Sequence, residues 1–173
     1  MYQRKNRAIK FDSPWITLFL DDIVNQDQAS LKYNVVHFKN ESVVAAVRKG
    51  NQFLITENYR YPIGEVQIEF PSGGMDDGES PEQAAQREVL EETGIRIACS
   101  EHRYSFYPSN GISDQKIHII IADYADGELI PQEDEIIKCY WLEKDELLRQ
   151  VKAGNITDAP TLIALFYVLL CFS

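Results

Sequence analysis

From residue 73 to residue 95 the chain reads GGMDDGESPEQAAQREVLEETGI, which places seven acidic side chains and one arginine between glycines. Ser80 suits an N-cap, Pro81 the first helical position and Gln83 the reciprocal partner of a capping box, so a helix is expected over 80–92. Gly94 then ends it as a left-handed C-terminal glycine does. On that helix Glu88, Glu91 and Glu92 fall three and four residues apart and project within an arc of about 100°. Three bare carboxylates on one face repel, and a hard divalent cation removes the conflict. Mg²⁺ and Mn²⁺ prefer carboxylate, carbonyl and water oxygens, and Mg²⁺ sites commonly add substrate phosphates, so the cluster points to phosphate chemistry. Ala84, one turn earlier, is expected to leave room for such an ion.

The rest of the chain sets limits on that reading. Its 173 residues suffice for one main domain, and 45% apolar with 25% charged residues is a folded, globular balance. A formal net charge of -10 without any basic run disfavours nonspecific attraction to nucleic acid or anionic lipid, and neither is expected as a partner. Cys99, Cys139 and Cys171 are odd in number and lack metal-ligand spacing, which suits a reducing cytoplasm and small core residues. His37, His102 and His118 lie far apart without helical ligand spacing, so no zinc site is expected. The N-terminal MYQRKNRAIKFD lacks the apolar core of a signal peptide and reads as a first strand. LIALFYVLLCF, near the C-terminus, is well short of the ~20 residues that span a bilayer and reads as a buried helix rather than a membrane contact.

Short β-rich runs at 15–20, 32–38, 42–47 and 52–56 make the first half mainly strand. Strands are also expected at 95–107, 116–124 and 139–142, and helices at 144–152 and 158–171.

Gly73, Glu79, Arg87, Glu88, Glu91, Glu92 and Gly94, with apolar Val89 and Ile95, fill every fixed position of the pattern G-x5-E-x7-R-E-U-x-E-E-x-G-U, where U is aliphatic. The chain therefore resembles the Nudix hydrolases. That resemblance implies an α/β fold, an α/β/α sandwich with a mixed sheet, here preceded by an N-terminal β subdomain. It implies metal ligation by Glu88, Glu91 and Glu92, with Arg87 orienting them and Glu79 supporting the loop. Metal offsets the charge of a diphosphate and supplies hydroxide near neutral pH.

Around this box, ENYRYPIGEVQIEFPSGGMDDGE resembles the ADP-ribose and nucleoside diphosphate sugar pyrophosphatase branch, through Arg60, Glu69, Pro71 and Gly73. The resemblance implies that Arg60 and Glu69 serve substrate binding, Arg60 at the diphosphate, and that the backbone carbonyl of Ser72 is a further metal ligand. Glu133 and Glu135 correspond to an acidic loop that provides the catalytic base. Residues 1–45 resemble strands with which this branch forms a homodimer, leaving 46–173 as the hydrolase domain; Trp15 and Tyr33 are candidate aromatic surface for a base or a partner subunit, or core. Asn110 stands where typical ADP-ribose hydrolases have proline, which widens the expected substrates to GDP-mannose and ADP-glucose. Rival readings are a hydrolase of nucleoside triphosphates or dinucleoside polyphosphates, and a nucleotide-sugar sensor that binds without cleaving.

Overall fold

The strand Ser42–Lys49 (β4) carries VVAAV at 43–47 with both faces apolar, as a strand covered on two sides must be. In the computed structural model, which describes residues 1–131 and 136–171, Val43, Ala45 and Val47 point to one apolar cluster and Val44 and Ala46 to another. β4 pairs in parallel with Ile117–Gly127 (β9), and β9 pairs antiparallel with Ile95–Phe106 (β8). On the other side, Gln52–Arg60 (β5) pairs antiparallel with β4 at its start and with Ile136–Glu143 (β10) along its length. Glu65–Glu69 (β6) joins β5, and the short Ser72–Gly74 (β7) joins β4. The outcome is a seven-stranded mixed sheet.

One cluster is closed by the helix Pro81–Thr93 (α1), which contributes Ala84, Ala85 and Val89. The opposite cluster receives Leu147 of Lys144–Lys152 (α2) and Ala164, Leu165 and Val168 of Ala159–Cys171 (α3). The expected α/β/α sandwich with a mixed sheet is thus the observed one. α3 is buried on one side only, since Phe166 and Leu170 are exposed. Among the described residues no helix is long and apolar enough to cross a membrane.

Gln3–Asp12 (β1), Ile16–Val24 (β2) and Ser30–Phe38 (β3) form a separate three-stranded antiparallel sheet in the order β1-β2-β3. The chain divides into two compact units, Met1–Glu41 with Tyr107–Lys116, and Ser42–Phe106 with Ile117–Ser173. Within the first unit Arg7 donates two 2.7 Å hydrogen bonds to the carboxylate of Asp21, across β1 and β2. Val36 donates to the Ile112 carbonyl at 2.9 Å, and the Asp114 carboxylate accepts from the Phe38 N–H at 2.9 Å, which fastens residues 107–116 to β3. Trp15 is 78% exposed, and Tyr33, also exposed, donates its hydroxyl to the Gly111 carbonyl.

Where β9 ends against the start of β8, Gly127 has φ +109°, and a Cβ there would lie 2.5 Å from the Gly94 carbonyl oxygen. Both the backbone region and the backbone neighbour reject a side chain. Gly127→Ala is expected to destabilise the protein by about 3 kcal/mol, on the scale of combined strain and overpacking. Chemical denaturation would check it, and a loss within ordinary surface scatter would contradict the contact.

Candidate functional site

α1 begins and ends as its sequence dictates. The Gln83 N–H donates to Ser80 Oγ at 3.3 Å, the Ser80 N–H donates to Gln83 Oε1 at 2.8 Å, and Gly94 closes the helix at φ 74°. This fixes the rotation of the acidic face. Glu88 and Glu92 are turned inward, with 9% and 4% of their surface exposed, while Glu91 stays half open to solvent. Ala84 is fully buried among the apolar residues under α1, so it does not provide the space expected of it.

The close approach lies at Gly73 instead, and the Glu88 carboxylate fills it. A Cβ on Gly73 would stand 2.2 Å from the Glu88 carboxyl carbon and 2.4 Å from both of its oxygens. Only a residue without a side chain lets β7 approach the carboxylate so closely. Ser72, beside it on β7, is half-buried.

Arg87 gathers the acidic groups around one guanidinium. Its Nε and Nη2 donate to the two oxygens of Glu79 at 3.0 and 2.9 Å, Nη2 also to the Gly74 carbonyl at 2.7 Å, and Nη1 to Glu88 at 2.7 Å and Glu91 at 3.0 Å. Hydrogen bonding to Glu79 is the largest influence that raises the Arg87 pKa, and the same contact holds the Glu79 carboxyl below its ordinary range. Glu79 also accepts from the Asp76 N–H at 2.9 Å, which ties the loop to the helix.

A second constellation lies on the same sheet face. Leu54 of β5 belongs to the cluster beneath α1, and strand alternation sends Thr56, Asn58 and Arg60 the same way. Arg60 donates from Nε to both oxygens of Glu69, at 3.0 and 3.2 Å, and from Nη2 at 2.5 Å. Asn58 Nδ2 adds a 2.9 Å bond to Glu69, which is 2% exposed. Asn58 was not among the expected site residues, although its i, i+2 relation to Arg60 would have pointed to it. Its Oδ1 is buried with no hydrogen-bond partner among the described residues.

On β10, Cys139 is half-buried opposite Thr56, and burial, helped by the charge of Glu92, pushes its thiol pKa up. Glu133 and Glu135, the expected loop bases, lie outside the described residues.

Two histidines do come together. His118 on β9 and His102 on β8 bring ring nitrogens within 3.3 Å of each other, with Ser105 between them.

Among the described residues no three His, Cys, Asp or Glu side chains form a ready metal-binding group. The carboxylates of Glu88 and Glu91 are turned onto Arg87 rather than onto each other. The donor chemistry nevertheless fits a hard divalent ion, because Glu88, Glu91 and Glu92 offer carboxylate oxygens on one helix and Gly73 lets the backbone of β7 come against the Glu88 carboxylate.

A model of the NUDIX domain matches residues 39–165. The chain is 31% identical over 161 residues to a methanol dehydrogenase activator of Bacillus methanolicus, covering 91% of this chain and 87% of that protein. It is 26% identical over 161 residues, with the same shares covered, to an ADP-ribose pyrophosphatase of Bacillus subtilis. The crystal structure of an ADP compounds hydrolase superposes with a TM-score of 0.87 over 96% of this chain and 91% of that one, at 19% identity, a likeness of fold. The capped helix with its arginine-centred glutamates thus sits within a domain match spanning most of the sequence, and the chain belongs to the NUDIX family.

Proposed function

We propose that this protein hydrolyses the pyrophosphate bond of a nucleoside diphosphate sugar, ADP-ribose first among the candidates, to a nucleoside monophosphate and a sugar phosphate. The observation that carries the reading is the pairing, on one face of one sheet, of an acidic helix face with an arginine held by a buried carboxylate. The first suits a divalent ion and the second a diphosphate. The similar ADP-ribose pyrophosphatase supports the substrate class.

In this reading Glu88, Glu91, Glu92 and the Ser72 carbonyl hold Mg²⁺, with Mn²⁺ as a substitute. When bound, the ion offsets phosphate charge and makes hydroxide available near neutral pH. Arg87 fixes the rotamers of Glu79, Glu88 and Glu91 and balances their charge. Glu69, itself held by Asn58, holds Arg60 so that its guanidinium meets the diphosphate without first being ordered. Glu133 or Glu135 takes the proton of the attacking water.

The same reading makes the protein a cytoplasmic homodimer joined through residues 1–45. Free Cys99 and Cys139 agree with a reducing compartment, and exposed Ile9, Phe11 and Trp15 agree with a covered face in a dimer.

The test is a panel of ADP-ribose, ADP-glucose, GDP-mannose, UDP-glucose and a deoxynucleoside triphosphate, incubated with Mg²⁺, with products identified by mass spectrometry. A monophosphate and a sugar phosphate from one of the sugars is the expected outcome. Cleavage of the triphosphate alone would move the protein to another substrate class, and binding without any cleavage would make it a sensor. On the preferred sugar, Arg60→Ala should raise KM by about 10- to 100-fold and change kcat less, as loss of a uniform binding contact does. An unchanged KM would remove Arg60 from the diphosphate site.

A further inference from the structure

The histidine pair is built by an irregularity of the sheet. His102 and Ser105 are three residues apart, and a regular strand would send them to opposite faces. A register shift between His102 and Tyr104 lets His102 face Ile120 and Ser105 face His118, so both side chains fall on the face covered by α1. Tyr104 turns the other way and stacks on Tyr167 at 4.8 Å. The backbone N–H of His102 donates to Glu82 in the first turn of α1, which fixes the bulge.

Three donor atoms result. His102 Nε2 is 2.9 Å from Ser105 Oγ, Ser105 Oγ is 2.8 Å from His118 Nδ1, and the two nitrogens are 3.3 Å apart. The Tyr104 carbonyl oxygen is 3.0 Å from His102 Nε2. At Zn–N distances of ~2.0–2.1 Å and a tetrahedral angle, two imidazole nitrogens on one ion stand roughly 3.3–3.4 Å apart and their ring centroids roughly 5.2 Å. The centroids here are 5.1 Å apart, with the rings inclined at 68°. Both the nitrogen and the centroid separations are thus those of two imidazoles held on one ion. His118 is 4% exposed and His102 is exposed, so the donors have a fixed floor and an open side.

We propose that His102, His118 and Ser105 form a second cation site, which takes Zn²⁺ or another divalent transition ion that favours imidazole. Its ligands are softer than the carboxylates of α1, so the two sites select different ions. They share a sheet face: Gly73 pairs with Val43, and Val43 with His118. A strand spacing of ~4.8 Å puts His118 about 10 Å from the Gly73 backbone. The site therefore stands beside the carboxylate site without sharing a ligand with it.

The experiment is a Zn²⁺ titration of chelator-treated full-length protein, by equilibrium dialysis in excess Mg²⁺ so that hard-ion sites are filled. One equivalent of Zn²⁺ is expected to bind to the wild type and to Glu92→Gln. His102→Ala and His118→Ala should each weaken it about tenfold or more, as loss of one of few ligands does. X-ray absorption of the zinc form should show two imidazole ligands. His102 is at the surface, so its variant remains informative if His118→Ala fails to fold, and it should keep the Mg²⁺-supported hydrolysis of the wild type. Equal Zn²⁺ affinity in wild type and His102→Ala would overturn the proposal and leave a purely hydrogen-bonded relay through Ser105. Loss of Zn²⁺ binding in Glu92→Gln would overturn it by moving the ion to the carboxylates.

Discussion

Glu92→Gln should abolish turnover while leaving a folded protein. The substitution keeps the shape of a side chain that is 4% exposed and removes only its charge. Burying one charge fewer costs the fold little, because a buried carboxylate has already lost its hydration. The same charge is needed in full when a divalent ion is to be held against water, so activity is expected to fall about 10³-fold or more. Steady-state rates with saturating Mg²⁺, set beside a melting curve, separate the two effects. A folded variant with near wild-type rates would take Glu92 out of the metal site.

Gly73→Ala tests the opposite side of the same contact. Its backbone is not in the left-handed region, so alanine suits it, and the nearest obstacle is the Glu88 carboxyl at 2.2 Å. That obstacle is the far end of a flexible side chain and can swing away. The stability cost is then roughly one charge-assisted hydrogen bond, 1.5–3 kcal/mol at most, because Glu88 gives up its 2.7 Å contact with Arg87. Activity has no such escape. With Glu88 holding the ion as proposed, displacing it by an ångström or more should lower kcat by about 100-fold and raise the Mg²⁺ concentration needed for half activity. Should kcat and the Mg²⁺ requirement both stay unchanged, the glycine would be there for reasons of backbone packing alone.

How much of this could be read from the sequence depended on the range of the signal. The boundaries of α1 were legible because Ser80, Pro81, Gln83 and Gly94 each act on their own turn. β4 was legible because burial on both faces leaves an unbroken apolar run. β7 was not, since Ser-Gly-Gly has no strand preference and is extended only because β4 offers it hydrogen bonds. The same holds for β6, whose buried Gln67 and Glu69 alternate with Ile68 in a pattern that polar residues disguise. Ala84 was misjudged because a helical wheel gives direction but not what fills it. The histidine pair was hidden for a further reason: spacing rules assume regular strands, and a bulge changes which residues share a face. Glu69 could be recognised from its neighbours in the motif, yet its burial beneath Arg60 is a property of the β5–β6 pairing alone.

The chain leaves the second unit after Phe106 and returns to it at Ile117, having lent residues 107–116 to the first. The first unit is therefore not one continuous stretch of chain. A recombination that exchanged residues 1–41 for those of a relative would have to bring a matching 107–116 as well, or Val36 and Phe38 would meet a segment cut for other hydrogen bonds. Hybrids spliced at Glu41 alone should express poorly, and hybrids that carry both pieces from one parent should not.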